Sequence, residues 1–165
     1  MNQPLADMLR YNKWANQTLF EACRALSDEQ LDAAIDWTSG TIRALLLHLA
    51  GGQQTFVLRT QGRQHAGELN RWSVWPGFDA VLDVLSRSSD ELIAIAEKAD
   101  GEATADLAWQ GKVFRFPKNF FLVHAMEHGV EHRTEIKLAL ASMGVETPDL
   151  DGWHWAAAAG LSSEV

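Results

Sequence analysis

Apolar residues recur along this chain at alternating steps of three and four in four separate stretches, and the strict alternation of half-buried strands is almost absent. In the first stretch Leu5, Met8, Asn12, Ala15, Leu19, Ala22 and Leu26 form one stripe with a single polar member, Asn12. Pro4 suits the first turn of that helix, where its missing N–H costs nothing. Ser27 followed by Gln30 has the spacing of a capping box and predicts a short further turn of helix. Ser39-Gly40-Thr41 opens the second long helix, whose apolar face is Ile42, Leu45, Leu46, Leu49 and Phe56 and whose end lies near Gly62. The third runs from Phe78 to Lys98 with Phe78, Val81, Leu85, Leu92 and Ala96 on its stripe. The fourth begins after Pro117 and ends at Gly144, a residue suited to the position just past a helix. Between Leu107 and Phe116 a loose alternation around Gly111 predicts a small hairpin, and the tail beyond Pro148 carries a short last helix.

Four amphipathic helices of this length predict an all-α four-helix bundle, formed by residues 1–165 as a single domain. The polar connection from Gly62 to Pro76 is long for a helix–helix link, which points to a crossover or a functional loop. Fourteen basic against twenty-two acidic residues give a formal charge of −8, a poor balance for gripping a phosphate backbone, so nucleic acid is not the expected partner. The longest apolar runs are far short of the ~20 residues that cross a bilayer. No signal-peptide pattern opens the chain, and the expected compartment is the cytoplasm. Cys23 is the only cysteine and reads as inert packing, which removes disulfides and cysteine-based zinc sites.

Histidine placement changes this bland picture. His124, His128 and His132 follow one another at four-residue intervals, each step about 6 Å along the helix and about 40° around it. Two such neighbours can share a metal, whereas the outer pair, about 12 Å apart along the axis, cannot easily do so. The stripe of the fourth helix is Phe121, Ala125, His128, His132, Ile136, Ala139 and Met143, so His128 and His132 stand in the seam that faces the core. Buried imidazoles need partners, and a cation held between helices satisfies both at once. His48, beside the inner face of the second helix, offers a third ligand, and Gly51-Gly52 after it leaves room for a close backbone approach or a ligand. His124 lies one step off the stripe and fits a hydrogen-bonding role, His65 is expected in solvent, and His154 in the tail either covers the site or packs. Glu135 is the acidic residue nearest the stripe, suited either to fix an imidazole's tautomer or to act as a general base, while Glu127 and Glu131 read as a solvated face.

Three neutral ligands leave coordination positions open, the catalytic rather than the closed structural arrangement. Imidazole accepts zinc, nickel, iron or manganese, so the cofactor expected is one divalent transition metal of unspecified identity. Nucleophile elbows, P-loops, dinucleotide fingerprints and the paired Glu-x-x-His pattern of di-iron bundles are all missing. Trp14 and Trp37 are expected to pack, while Trp72, Trp75, Trp109, Trp153 and Trp155 fall in connections and the tail, where they could wall a pocket mouth or a subunit contact.

Several of these segments resemble the DinB-like metal-binding four-helix bundles, a family unrelated to the DNA polymerase that shares the name. Tyr11-Asn12-Lys13-Trp14-Ala15-Asn16 is similar to the family's opening signature, and Thr41 to Leu49 to its second-helix motif ending around the first metal histidine. His124 to Arg133 resembles its His-x-x-x-His-Arg motif, and Met143 to Pro148 its exit from the last long helix. The resemblance implies that His48, His128 and His132 bind one divalent cation, that the helices run up-up-down-down, and that the chain forms a homodimer. Thr134-Glu135 departs from the glycine-glutamine common in the family and adds a negative charge near the cation. Characterised relatives imply a metal-dependent enzyme acting on a small-molecule substrate, either a small-thiol S-transferase or a metal-assisted hydrolase. The competing expectation is a non-catalytic, stress-associated bundle with a structural or vestigial metal.

Overall fold

The computed structural model describes residues 3–98 and 101–162. Four long helices build the molecule: α1 (Gln3–Cys23), α3 (Ile42–Thr60), α4 (Phe78–Glu97) and α5 (Lys118–Ser142). Between them lie the single turn α2 (Asp28–Leu31), the hairpin strands β1 (Thr104–Trp109) and β2 (Lys112–Pro117), and the terminal α6 (Gly152–Ala158). The all-α bundle expected from periodicity is what forms, with the hairpin as its one small sheet.

Local signals explain the boundaries. Ser27 caps α2 in a complete capping box with Gln30, and Thr41 caps α3 by accepting the Ala44 N–H. Gly144 sits at φ 69° just past α5, and the Val145 N–H bonds the Leu140 carbonyl at 3.0 Å, closing the helix in a Schellman arrangement. The hairpin turns at Gln110-Gly111, both with positive φ, the backbone that suits a two-residue connection between twisted strands.

Ion pairs and hydrogen bonds give the directions of the helices. Arg10 with Glu97, Lys13 with Asp90 and Arg24 with Asp79 run α1 antiparallel to α4. Asn12 bonds Gln53 in mid-bundle while Leu5 and Leu9 cluster with Phe56 and Val57 from the far end of α3, so α1 and α3 are antiparallel too. Leu5 shares a cluster with Phe121, and Leu19 shares another with Ile136 and Leu140, which makes α1 and α5 parallel. The order is therefore up, down, down, up, and it corrects the up-up-down-down order implied by family resemblance. Because α3 and α4 run in the same direction, the chain must travel the length of the bundle between them. The long connection after Gly62 is that crossover.

Leu46, Leu85, Leu122, Ile136 and Leu140 are fully buried among the apolar side chains that join the helices. Each such side chain contributes roughly 1.5–3 kcal/mol relative to exposure. Two expectations change in detail. Met8 is 48% exposed, and Leu9 takes its place on the inner face of α1. Trp37 is 67% exposed rather than packed, because it stands in the loop before α3 and not on a helix face. Cys23 is buried, and that burial pushes its thiol up to about 12. No helix among the described residues is long and apolar enough to cross a membrane.

Near the middle of the bundle one layer is polar, and each long helix supplies part of it. Gln53 of α3 accepts from Asn16 at 3.1 Å and Asn12 at 3.3 Å, and donates to Ser89 of α4 at 2.6 Å. Arg133 of α5 donates from Nη1 to the side-chain oxygens of Asn12 and Asn16, both at 2.5 Å. All of these side chains are buried, Arg133 to 3% exposure. Its guanidinium lies over the Tyr11 ring at 5.7 Å, while its Nη2 has no hydrogen-bond partner. Burial disfavours the charge and lowers the Arg133 pKa. Asn12 was legible as the polar member of a stripe; Asn16, Gln53 and Arg133 were not, because each belongs to a stripe only once its neighbours are known.

Candidate metal centre

His48 on α3 and His128 and His132 on α5 converge across the interface of those two antiparallel helices. One ring nitrogen from each lies within 4.8 Å of the others. The ring centroids stand 4.8 Å apart for His48 and His128, 4.7 Å for His48 and His132, and 4.4 Å for His128 and His132. His128 and His132 are buried, as their places in the apolar seam required, and His48 is partly buried.

Space for this convergence comes from the paired glycines after His48. A Cβ at Gly52 would lie 2.6 Å from Cε1 of His128, and one at Gly51 would lie 1.9 Å from the carbonyl oxygen of Leu69 in the crossover. Any side chain at either position would displace the imidazole or the covering loop. The expected close approach is thus met twice, once by a ring and once by a backbone.

Glu135, one turn beyond His132, fixes the third ring. Its Oε2 stands 2.6 Å from Nδ1 of His132, and its Oε1 accepts the Ser39 backbone N–H at 2.7 Å. The Ser39 hydroxyl also donates to Oε2 at 3.1 Å. Burial opposes the ionised carboxyl, but the bonds from His132 and Ser39 outweigh it and lower the Glu135 pKa. A carboxylate on Nδ1 leaves Nε2 of His132 as the free donor atom, the tautomer a cation requires. Of the two roles expected for Glu135, the geometry matches that of holding an imidazole.

Burial holds the other two rings neutral. His48 is pushed down to about 4 by desolvation, helped by the nearby charges of Arg71 and His132, with Glu135 opposing. His128 is pushed down to about 3 by desolvation, with His132 and His48 adding to it. Neutral imidazole is the form that ligates.

The donor set fits a cation. Nε2 of His128 and Nε2 of His48 are 3.2 Å apart. Two nitrogen ligands about 2.1 Å from a shared ion at a near-tetrahedral angle stand about 3.4 Å apart. Three nitrogens from two helices, one of them oriented by a carboxylate, can hold one divalent ion and leave further positions open.

The remaining histidines fall outside the trio. His124 places Nδ1 3.2 Å from a carboxylate oxygen of Glu127 and packs its ring on Phe56 and Phe120. His65 is exposed. His154 is held by Asp151 at 2.9 Å, a bond that raises its pKa, and it serves the start of α6 rather than the site. Trp72 is the tryptophan that walls the cavity beside the trio. Trp75 packs under Arg43, Trp155 meets Tyr11 edge-on, and Trp109 and Trp153 are exposed.

A cavity of about 510 Å³ opens onto His48 and His128, between α3, α5 and the crossover. Phe56, Thr55 and His124 line it on the helix side, and Leu69, Arg71 and Trp72 line it on the loop side. The crossover is anchored there by Gly67 N–H to Thr55 Oγ1 at 2.9 Å and by Glu68 N–H to Gln54 Oε1 at 2.6 Å. Sequence reasoning found the loop but not Arg71, whose place at the cavity follows from these anchors.

No match to the chain is found among curated proteins. The family model described as the DinB family matches residues 1–161. Since that match takes in every helix that shapes the trio, the chain belongs to the DinB family.

Proposed function

We propose that the chain is a metal-dependent enzyme that joins a small thiol to an electrophile, using one divalent cation held by His48, His128 and His132. The observation that supports this reading is the opening of a three-imidazole cluster onto a largely apolar cavity large enough for a small substrate. When bound, the cation supplies Lewis acidity, favouring the thiolate form of a thiol at neutral pH. The thiol sulfur forms a bond to carbon, the leaving group departs with the bonding pair, and the thiol proton passes to solvent. His48 and His128 line the cavity, and His132 brings a ring nitrogen within 4.8 Å of theirs. Glu135 acts as a positioning residue, since its oxygens are taken up by His132 and Ser39. Phe56 and Leu69 give the cavity apolar walls beside the histidines.

The test is turnover by protein loaded with zinc, nickel, iron or manganese in turn, with glutathione or cysteine and 1-chloro-2,4-dinitrobenzene as probes. Thiol consumption that requires metal and is lost in His128→Ala supports the reading. Equal rates in the variant and the parent refute it. The same cluster with water in place of the thiol makes a hydrolase, and hydrolysis of a nitrophenyl ester without thiol dependence would select that reading. If chelation lowers the melting temperature and neither activity is seen, the metal is structural.

A further inference from the structure

We infer that Arg71 is a specificity residue, binding a carboxylate on the substrate that occupies the cavity beside the histidine trio. The inference rests on the reading above only in taking that cavity as the substrate's place. Five of the nine arginines, Arg10, Arg24, Arg43, Arg87 and Arg115, form ion pairs with carboxylates, and Arg133 is spent on Asn12 and Asn16 inside the bundle. Arg71 has no carboxylate partner among the described residues, although the chain carries twenty-two acidic side chains. Among the described residues its one hydrogen bond runs from Nη1 to the Ser39 carbonyl at 3.1 Å, and its guanidinium lies 5.9 Å from the Trp72 ring centre. A guanidinium carries five N–H donors in a planar fork that matches a carboxylate, so donors remain for a ligand.

Position gives this donor its use. Arg71, His48 and His128 line the same cavity, and Arg71 is close enough to act electrostatically on both rings. Ser39 joins the two halves of the site, because it accepts from Arg71 and donates to Glu135, which in turn holds His132. The walls between are Phe56, Leu69 and Trp72, with Thr55 already committed to Gly51 and Gly67. A fitting ligand therefore has a carboxylate at one end, a short apolar body, and at the other end an atom that ligates metal.

The experiment compares charged and neutral ligands of one shape. The full-length chain, metal-free, is titrated by calorimetry with 3-phenylpropionate and with 3-phenylpropanamide, and the same is done for Arg71→Gln and Arg71→Lys. The acid should bind the parent at least tenfold more tightly than the amide, Arg71→Gln should erase that preference, and Arg71→Lys should keep part of it. Failure of the parent to prefer the acid, or an unchanged preference in Arg71→Gln, overturns the inference. A parallel titration of the cobalt-loaded chain with 3-mercaptopropionate and 3-mercaptopropanamide follows the sulfur-to-cobalt absorption. Loss of the acid preference in Arg71→Gln with the absorption band retained supports the assignment of Arg71. If cobalt is not retained at all, the metal-dependent reading fails, while the metal-free titration still decides the role of Arg71.

Discussion

Gly52 and His128 face each other across the α3–α5 interface so closely that a Cβ on the glycine would lie 2.6 Å from the imidazole Cε1. The ring occupies the space a side chain would fill, and the orientation of one candidate ligand is thus set by the absence of an atom on the neighbouring helix. Gly52→Ala should leave the fold standing, because alanine in a helix interior is favoured over glycine by about 1 kcal/mol. The ring must nevertheless move. Zinc affinity is expected to fall at least tenfold, with the urea midpoint of the metal-free protein little changed. Competition against a chromophoric chelator measures the first quantity, and an unaltered affinity would show that His128 does not ligate.

Glu135 acts on the site through His132. Removing such a partner of a ligating histidine typically costs 10–100-fold in metal affinity. Glu135→Ala should reach the upper part of that range, and Glu135→Gln, which can still accept from Nδ1, the lower part. If Glu135 instead moved a proton during turnover, both variants would lose kcat equally while binding metal as the parent does. Calorimetric zinc titrations beside kcat measurements separate the two.

The polar layer makes a prediction about stability alone. Gln53→Leu keeps most of the volume but strips partners from Asn12, Asn16 and Ser89 at buried positions. Leaving buried polar groups unpaired costs about 1–3 kcal/mol each, and partial rearrangement should hold the total to about 2–4 kcal/mol. Urea denaturation followed by circular dichroism reads this directly. A loss below 0.5 kcal/mol, on the order of a surface substitution, would mean that the layer is not tightly coupled.

Acid should destabilise the metal-free protein through the histidine cluster. His48 and His128 titrate at about 4 and about 3 in the folded chain, below the ordinary value of 6.5. Between pH 6.5 and about 4 the unfolded chain therefore takes up protons that the folded chain refuses, and stability falls as pH falls. Above pH 7 both states are neutral at these rings, and no slope from them is expected. The melting temperature of metal-free protein should drop by several degrees from pH 7 to pH 5, and by less in His128→Leu. An identical drop in that variant would assign the acid sensitivity elsewhere.

Helix positions were readable because each long helix carries its own periodicity and its own end signals, such as Thr41 before α3 and Gly144 after α5. His128 and His132 could be placed inward for the same reason, since their neighbours Ala125 and Ile136 define the seam. Trp37 and Met8 were misread because a large apolar side chain in a short connection, or at the edge of a stripe, gives no local sign of which way it faces.

From the chain of residues alone came the number of long helices, the boundaries of each, the inward seam of α5 and the three histidines. These depend on spacing and capping, which act over a few residues. Tertiary structure decided the direction of each helix, the meeting of Asn12, Asn16, Gln53 and Arg133 in one layer, and the places of Glu135 and Arg71. Those depend on which helices become neighbours and on where the crossover lies against Gly51. Such contacts join residues far apart in the chain, and no local pattern encodes them.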